Sequence, residues 1–404
     1  MTRLPYMIRV MIALAGLAGC LVSLGMDWPN WRGPKHDGIS PEKGFKKTWD
    51  SRPRTVWEAP LGPAFSSFTC VGDRLYTCGT KDGQQVLFCL DAATGAVVWE
   101  KAFEKGIKDR QGGDGTRATP TLDDGKVYIL GGNGTLLCAD AAKGGEIWKK
   151  EFKAKPTWGY SGSVLIEGDM AVVSPGGSDG ALLALNKKTG EVIWKTGNEG
   201  AGYATPYPFT FNDTRYIVGF LGKSAIIVEA KTGREVWRTG WKTSYDVNAS
   251  SPIFHDGYLF LTSGYGTGCA LYKLSPKGDK LDGQEVWRSK VIVNKFQSCV
   301  LHEGALYGSD EKTLKCVDFM TGKELWSVPR QPNATVLLAD GQLIVLTENG
   351  KLMIAPVSPK EFKPTAEADI LENRCWTIPL LHEGKLYARN LEKAVCVDLR
   401  EAKN

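Results

Sequence analysis

Residues 90–101, "LDAATGAVVWEK", read as the end of one strand, a tight turn at Gly95 and a second strand carrying Trp99. The chain repeats the pattern. "CLDAATGAVVW", "CADAAKGGEIW", "ALNKKTGEVIW", "IVEAKTGREVW" and "CVDFMTGKELW" end at Trp99, Trp148, Trp194, Trp237 and Trp326, each with a Gly four residues before the Trp. A sixth copy, "LDGQEVW", ends at Trp287 and keeps Gly283 after a longer turn, while Trp57 and Trp376 stand at similar intervals without that Gly. Successive Trp of the six copies lie 39 to 50 residues apart.

Each copy follows a second pattern of alternating apolar residues around a tight turn, as in "TPTLDDGKVYIL", "SPIFHDGYLFL" and "IPLLHEGKLYA". Period-two alternation around Asp-Gly or Glu-Gly is the signal of a β-hairpin. Counting "FTCVGDRLYTC" and "YPFTFNDTRYIV", there are eight such hairpins. A hairpin plus a Trp unit makes four strands, and four strands in about 40–45 residues form one propeller blade. The expected fold is therefore all-β, an eight-bladed β-propeller over residues 52–404. The last repeat stops after its third strand, whereas "RPRTVWEAPLG" near the front is a Trp strand without a hairpin. An N-terminal strand closing the final blade would remove both open edges.

Composition narrows the function classes. The 404 residues are 42% hydrophobic and 24% charged, with 50 basic and 45 acidic side chains. The net charge of +5 is spread without a Lys/Arg block, so nucleic acid is not an expected partner. Residues 1–25 carry Arg3, Arg9 and the apolar run "VMIALAGLAG", the pattern of an export signal rather than a spanning helix. Within it "LAGC" resembles a bacterial lipobox, with lipidation at Cys20; ordinary cleavage after Gly25 is the alternative. Residues 26–51 read as an N-terminal extension. A monomer is expected, exported to the periplasm or tethered to the outer membrane through a lipid on Cys20. Nine further cysteines cannot all pair, and no two form CxxC, so metal ligation by cysteine is not expected. One disulfide, Cys78 to Cys89, is open to the first hairpin.

The repeat resembles that of the quinoprotein-type propeller superfamily, an Ala-x-Asp-x-x-Thr-Gly-x-x-x-Trp docking motif, over residues 53–404. "DWPNWRGPKHDGIS", "DVNASSPIF" and "LKCVDFMTGKELW" are similar to the exported pyrroloquinoline-quinone-repeat proteins of planctomycetes and related bacteria. The resemblance implies two function classes. In quinoprotein alcohol dehydrogenases, pyrroloquinoline quinone lies at the channel mouth against a Trp, beneath a disulfide of adjacent cysteines, with Ca²⁺ held by Glu, Asn and Asp and a further Asp as base. The propeller lipoprotein of the outer-membrane assembly machinery instead holds partners on its loops. Fold alone does not choose between them.

There is no Cys-Cys dipeptide, so the disulfide lid is missing. The enzyme alternative, an alcohol or sugar dehydrogenase, rests on "GWKTSYDVNASSP", where Trp241, Asp246 and Asn248 share a loop; Asp246 and Asn248 are the candidate Ca²⁺ ligands and Asp246 the candidate base. Loops expected on the same face offer Trp158, Tyr160, Tyr203, Tyr245 and Phe296, with Arg110 and Lys295 nearby, as a lining for a polar ligand or a protein. His255, His302 and His382 belong to hairpin turns. The expectation is a binding or scaffold module without a cofactor.

Overall fold

The computed structural model describes residues 27–401, so the export signal and Cys20 lie outside the described residues. Eight blades, each with four antiparallel strands, follow one another around a ring, at 69–105, 121–151, 165–196, 207–240, 253–289, 300–329, 335–369 and, for blade eight, 380–398 with Arg54–Pro60. The N-terminal strand pairs antiparallel with Lys393–Asp398, Arg54 opposite Asp398 and Trp57 opposite Cys396, so blade eight closes as expected. The Asp-Gly and Glu-Gly hairpins turn with both central residues left-handed, as at Asp124 (φ 46°) and Gly125 (φ 70°), which matches the twist of the flanking strands.

The repeated Trp joins blade to blade. Trp99 Nε1 donates to the Ala141 carbonyl in the next blade's outer turn at 3.0 Å, and the Tyr76 hydroxyl donates to the same oxygen. Trp57, Trp148, Trp194, Trp287 and Trp326 donate likewise across their own junctions. The ring lies flat on the Gly of the neighbour's copy: at Gly144 (φ 72°) an added Cβ would stand 2.7 Å from the Trp99 ring. Asp91 shapes the turn before that Gly, its Oδ1 accepting from the amides of Ala93 and Thr94 and from the Thr94 hydroxyl. Asp, Thr, Gly and Trp thus form one docking unit, with Trp and Gly meeting across the blade boundary.

A second belt runs around the inner rim. The Ser67 amide donates to Thr119 Oγ1, the Thr119 amide to Ser163 Oγ and the Ser163 amide to Thr205 Oγ1, each at 2.9–3.0 Å. The Ser251 amide donates to Ser298 Oγ, and Ser67 Oγ reaches the Ile378 carbonyl across the closing seam. Arg389 is fully buried at that seam and donates to the carbonyls of Cys78 and Gly62 in place of a carboxylate.

The N-terminal extension is part of the core. Trp28 is buried and pairs with Cys70 on the inner strand of blade one, and the Pro29 carbonyl accepts from Leu122 of blade two. Arg32 donates to the Cys299 carbonyl entering blade six, and Ile39–Ser40 adds a parallel strand to the inner edge of blade seven. Buried Glu42 accepts from the amides of Glu383 and Gly384 in a turn of blade eight. These contacts with blades one, two, six, seven and eight place the segment inside the central channel.

The nine cysteines among the described residues are free and buried. The Cys78–Cys89 disulfide is corrected by register: Cys78 faces Leu87 and Cys89 faces Tyr76, two positions away from a direct pair. Cys89 and its counterparts fill the small slot beside the docking Tyr and Trp, where burial pushes the Cys89 thiol up to about 11.

Candidate functional site

The loops that enter the inner strands surround a cavity of about 530 Å³ at one mouth of the channel. Its walls come from every blade except the seventh: Phe65, Trp158, Tyr203, Tyr265, Phe296 and Trp376 belong to different loops, with Tyr245 at the rim. Trp31, from the segment in the channel, also lines the cavity, and its Nε1 donates to Ser251 Oγ at 3.2 Å. The extension therefore closes the channel and leaves a cavity open at one face.

The rings hold one another, Trp158 meeting Tyr245 edge to face and Phe65 stacking on Trp376. Trp158 lies 5.4 Å from Tyr245 and 6.1 Å from Tyr203, whereas Phe296 and Phe65 pack on Trp376 at 4.6 and 5.0 Å. Such contacts set ring orientation and contribute roughly 0.5–1.5 kcal/mol each beyond burial. Tyr245 is 68% exposed and left-handed (φ 64°), and Asp246 after it is also left-handed (φ 58°). Two successive strained non-Gly residues are a local cost that binding loops carry when a side chain must be presented.

Charge in the cavity is uneven. Asp109 is the one acidic residue among the lining residues, and its carboxylate is bonded at 2.8 Å to Arg117, both side chains only 11% exposed. The Lys295 ammonium sits 5.4 Å over Tyr265 and 5.9 Å over Phe296, with no described carboxylate in ion-pair range. Burial lifts the Tyr203 phenol above its ordinary value, so its hydroxyl, which accepts from the Trp158 amide, stays protonated.

The sequence candidates divide into two groups. Trp158, Tyr203, Tyr245, Lys295 and Phe296 line the cavity together. Tyr160 does not: it is 2% exposed, and its hydroxyl donates to the carbonyls of Ala154 and Pro175 as a pin for its own loop. Trp241 is buried beneath the Arg288 guanidinium, 4.7 Å away, and donates to Ser263. Arg110 is exposed on its turn, and Arg117 seven residues later is the cation that reaches the wall. The reading by residue type missed Trp31, Phe65, Tyr265, Trp376 and the hydroxyl belt. For the belt a signal existed, a Ser or Thr just before the inner strand in "SSFTC", "ATPTL", "SGSVL" and "ATPYP".

The two residues the sequence offered as Ca²⁺ ligands do not converge on one site. The Asn248 side chain is fully buried, its amide donating to the carbonyls of Leu221, Gly222 and Trp241 and its oxygen accepting from Ser263. Asp246 lies outside the cavity lining, and among the described residues no group of three or more His, Cys, Asp or Glu could hold a metal ion. A Ca²⁺ site needs six to eight oxygens converging from several ligands. Asn248 instead ties the loop entering blade five to blade four.

Known proteins place this architecture. The family model for outer membrane protein assembly factor BamB matches residues 109–270 and 222–404. The outer membrane protein assembly factor BamB of Burkholderia pseudomallei is 25% identical over 298 residues, 71% of this chain and 71% of that protein. The crystal structure of BamB from Moraxella catarrhalis is similar with a TM-score of 0.62 at 16% identity, covering 88% of this chain and all of that one. A europium-containing methanol dehydrogenase is similar with a TM-score of 0.66 at 14% identity, covering 90% of this chain and 89% of that one. At such identities the two structures speak for the fold and not for an activity. With its repeats, its closed ring and a family match over most of its length, the chain belongs to the outer membrane protein assembly factor BamB family of pyrroloquinoline-quinone-repeat propellers.

Proposed function

We propose that the protein is an exported binding or scaffold module, tethered by a lipid on Cys20, that engages a partner through the loops and cavity at the channel mouth and holds no quinone. The observation that carries this reading is Asn248: the side chain a Ca²⁺–quinone site would need is bonded to four groups of the fold, while the aromatic cavity beside it remains open. The relatives named as outer membrane assembly factors support a role in holding other proteins at the envelope.

The test adds pyrroloquinoline quinone and Ca²⁺ to the purified protein and follows bound-quinone absorbance and dye-linked oxidation of alcohols and sugars. No binding at high micromolar quinone is expected. Stoichiometric quinone with turnover lost in Asp246→Ala would replace this reading with the dehydrogenase. Tethering has its own check, because Cys20→Ser should release the protein from the membrane fraction.

A further inference from the structure

We propose that the mouth cavity receives the anionic end of a carbohydrate, a sugar ring bearing a carboxylate or a sulfate ester, against the Trp158–Tyr203–Tyr245 wall. The inference rests on the reading of the mouth as a binding site and names its ligand.

Shape comes first. Because the N-terminal segment fills the channel and Trp31 lines the cavity, a ligand ends inside rather than threading through. About 530 Å³ lies within the range of roughly 300–1,000 Å³ that small ligands occupy.

Hydrogen-bonding capacity points to an acceptor. Thr119, Ser163 and Thr205 line the cavity, and each hydroxyl oxygen accepts an amide from the preceding blade, leaving its O–H to be given to a ligand. Lys295 adds an ammonium without a carboxylate partner among the described residues, and the wall's one acid, Asp109, is committed to Arg117. These three hydroxyls and the ammonium are donors, and the uncompensated charge is positive. Between aromatic walls, where the effective dielectric is low, that imbalance favours an anion.

Ring faces then select the body of the ligand. Cations of the protein already lie over Tyr265, Phe296, Phe65 and Trp376, which leaves Trp158, Tyr203 and Tyr245, together with Trp31 of the channel segment, as the part of the wall without one. A sugar ring presents a flat C–H surface suited to an indole or phenol face. An extended peptide is disfavoured for a specific reason. It gains affinity chiefly from main-chain pairing, and the rim amides of Ser67, Thr119, Ser163 and Ser251 are already bonded to hydroxyls of neighbouring blades.

The experiment measures binding to the full mature protein by calorimetry and tryptophan fluorescence, with digalacturonate, its neutral methyl ester, a sulfated disaccharide and an acidic peptide as probes. One acidic sugar per chain should bind, and whichever acidic arm binds identifies the charged group. The methyl ester and Lys295→Ala should each weaken binding by about tenfold or more, the ion-pair part falling with salt. Trp158→Ala should weaken binding by a similar factor, with the melting temperature of both variants held as the folding control. Equal affinity for acid and ester, or unchanged affinity in Lys295→Ala, overturns the anion site. Binding of the acidic peptide with no sugar bound at millimolar concentration overturns the carbohydrate while leaving the binding module standing. Quinone with turnover overturns both.

Discussion

Blade one and blade seven solve the same junction problem by different means. Blade one carries the full docking unit: Trp57 of blade eight lies on its Gly95, and its own Trp99 lies on Gly144 of blade two. Blade seven has an outer strand, Ala366–Asp369, with neither Gly nor Trp, and the N-terminal segment supplies the missing contacts. Trp49 Nε1 donates to the Glu367 carbonyl, Thr365 donates to the Lys47 carbonyl, and buried Phe45 bridges to Arg400 of blade eight. Where the repeat lapses, a distant piece of chain replaces it.

Deleting residues 53–62 should have the largest effect on this comparison, because it removes the closing strand and Trp57 together. Truncating one core Trp alone costs roughly 3–5 kcal/mol, so the deletion should abolish a single cooperative melt in calorimetry. A melt within a degree of the parent would mean that the seam does not hold the ring.

Gly144→Ala tests the docking unit at about 3 kcal/mol, combining left-handed strain with the Trp99 clash. Gly83→Ala is its control: φ is 71°, but nothing lies within 4 Å of an added Cβ, so only strain of about 1 kcal/mol should appear in urea titration. Equal losses at the two sites would show that backbone conformation, and not ring contact, makes Gly necessary.

The segment in the channel carries a titration signature. His36 is lowered from 6.5 to about 4 by burial, opposed by the Trp31 backbone and Glu167 and helped by Arg215 and Arg32. Its Nδ1 is buried without a hydrogen-bond partner. The unfolded chain therefore binds the extra proton between pH 6.5 and 4, and stability should fall as pH drops through that window, by about 2 kcal/mol for this partly exposed ring. Unfolding curves at several pH values should show a shallower dependence in His36→Leu. An identical slope would remove His36 as its source.

Trp49→Ala should cost only about 1 kcal/mol, since the ring is half-buried with one hydrogen bond to a carbonyl. Hydrogen exchange should rise in blade seven and stay unchanged in blades two to four. A uniform rise would mean that the segment stabilises the whole ring and not the blade without a docking unit.

Legibility followed the range of the interactions. The docking unit is local, Asp91 to Trp99, so its Gly and Trp could be read in series, and the unmatched strand at 54–60 pointed to closure because edges must pair. The candidate site was legible only in part. Trp158, Tyr203, Tyr245, Lys295 and Phe296 were found because aromatic residues in loops are visible as a composition, but the same rule offered Tyr160 and Trp241, which the fold buries as pins. Asn248 looked like a metal ligand for an equivalent reason: residue type does not say which backbone carbonyls stand nearby.

By itself the sequence determined an all-β ring of eight blades joined by Trp and Gly and closed by its own N-terminal strand, since those features repeat within about one blade length and strand edges demand partners. The tertiary structure alone decided that residues 28–40 fill the channel, that Trp31 meets Phe296 and Trp376 around one cavity, and that Lys295 stays without a carboxylate there. Trp31 lies hundreds of positions from Phe296 and Trp376, and they share no period. Ring closure brings their loops to one mouth, and only packing settles which side chains face it.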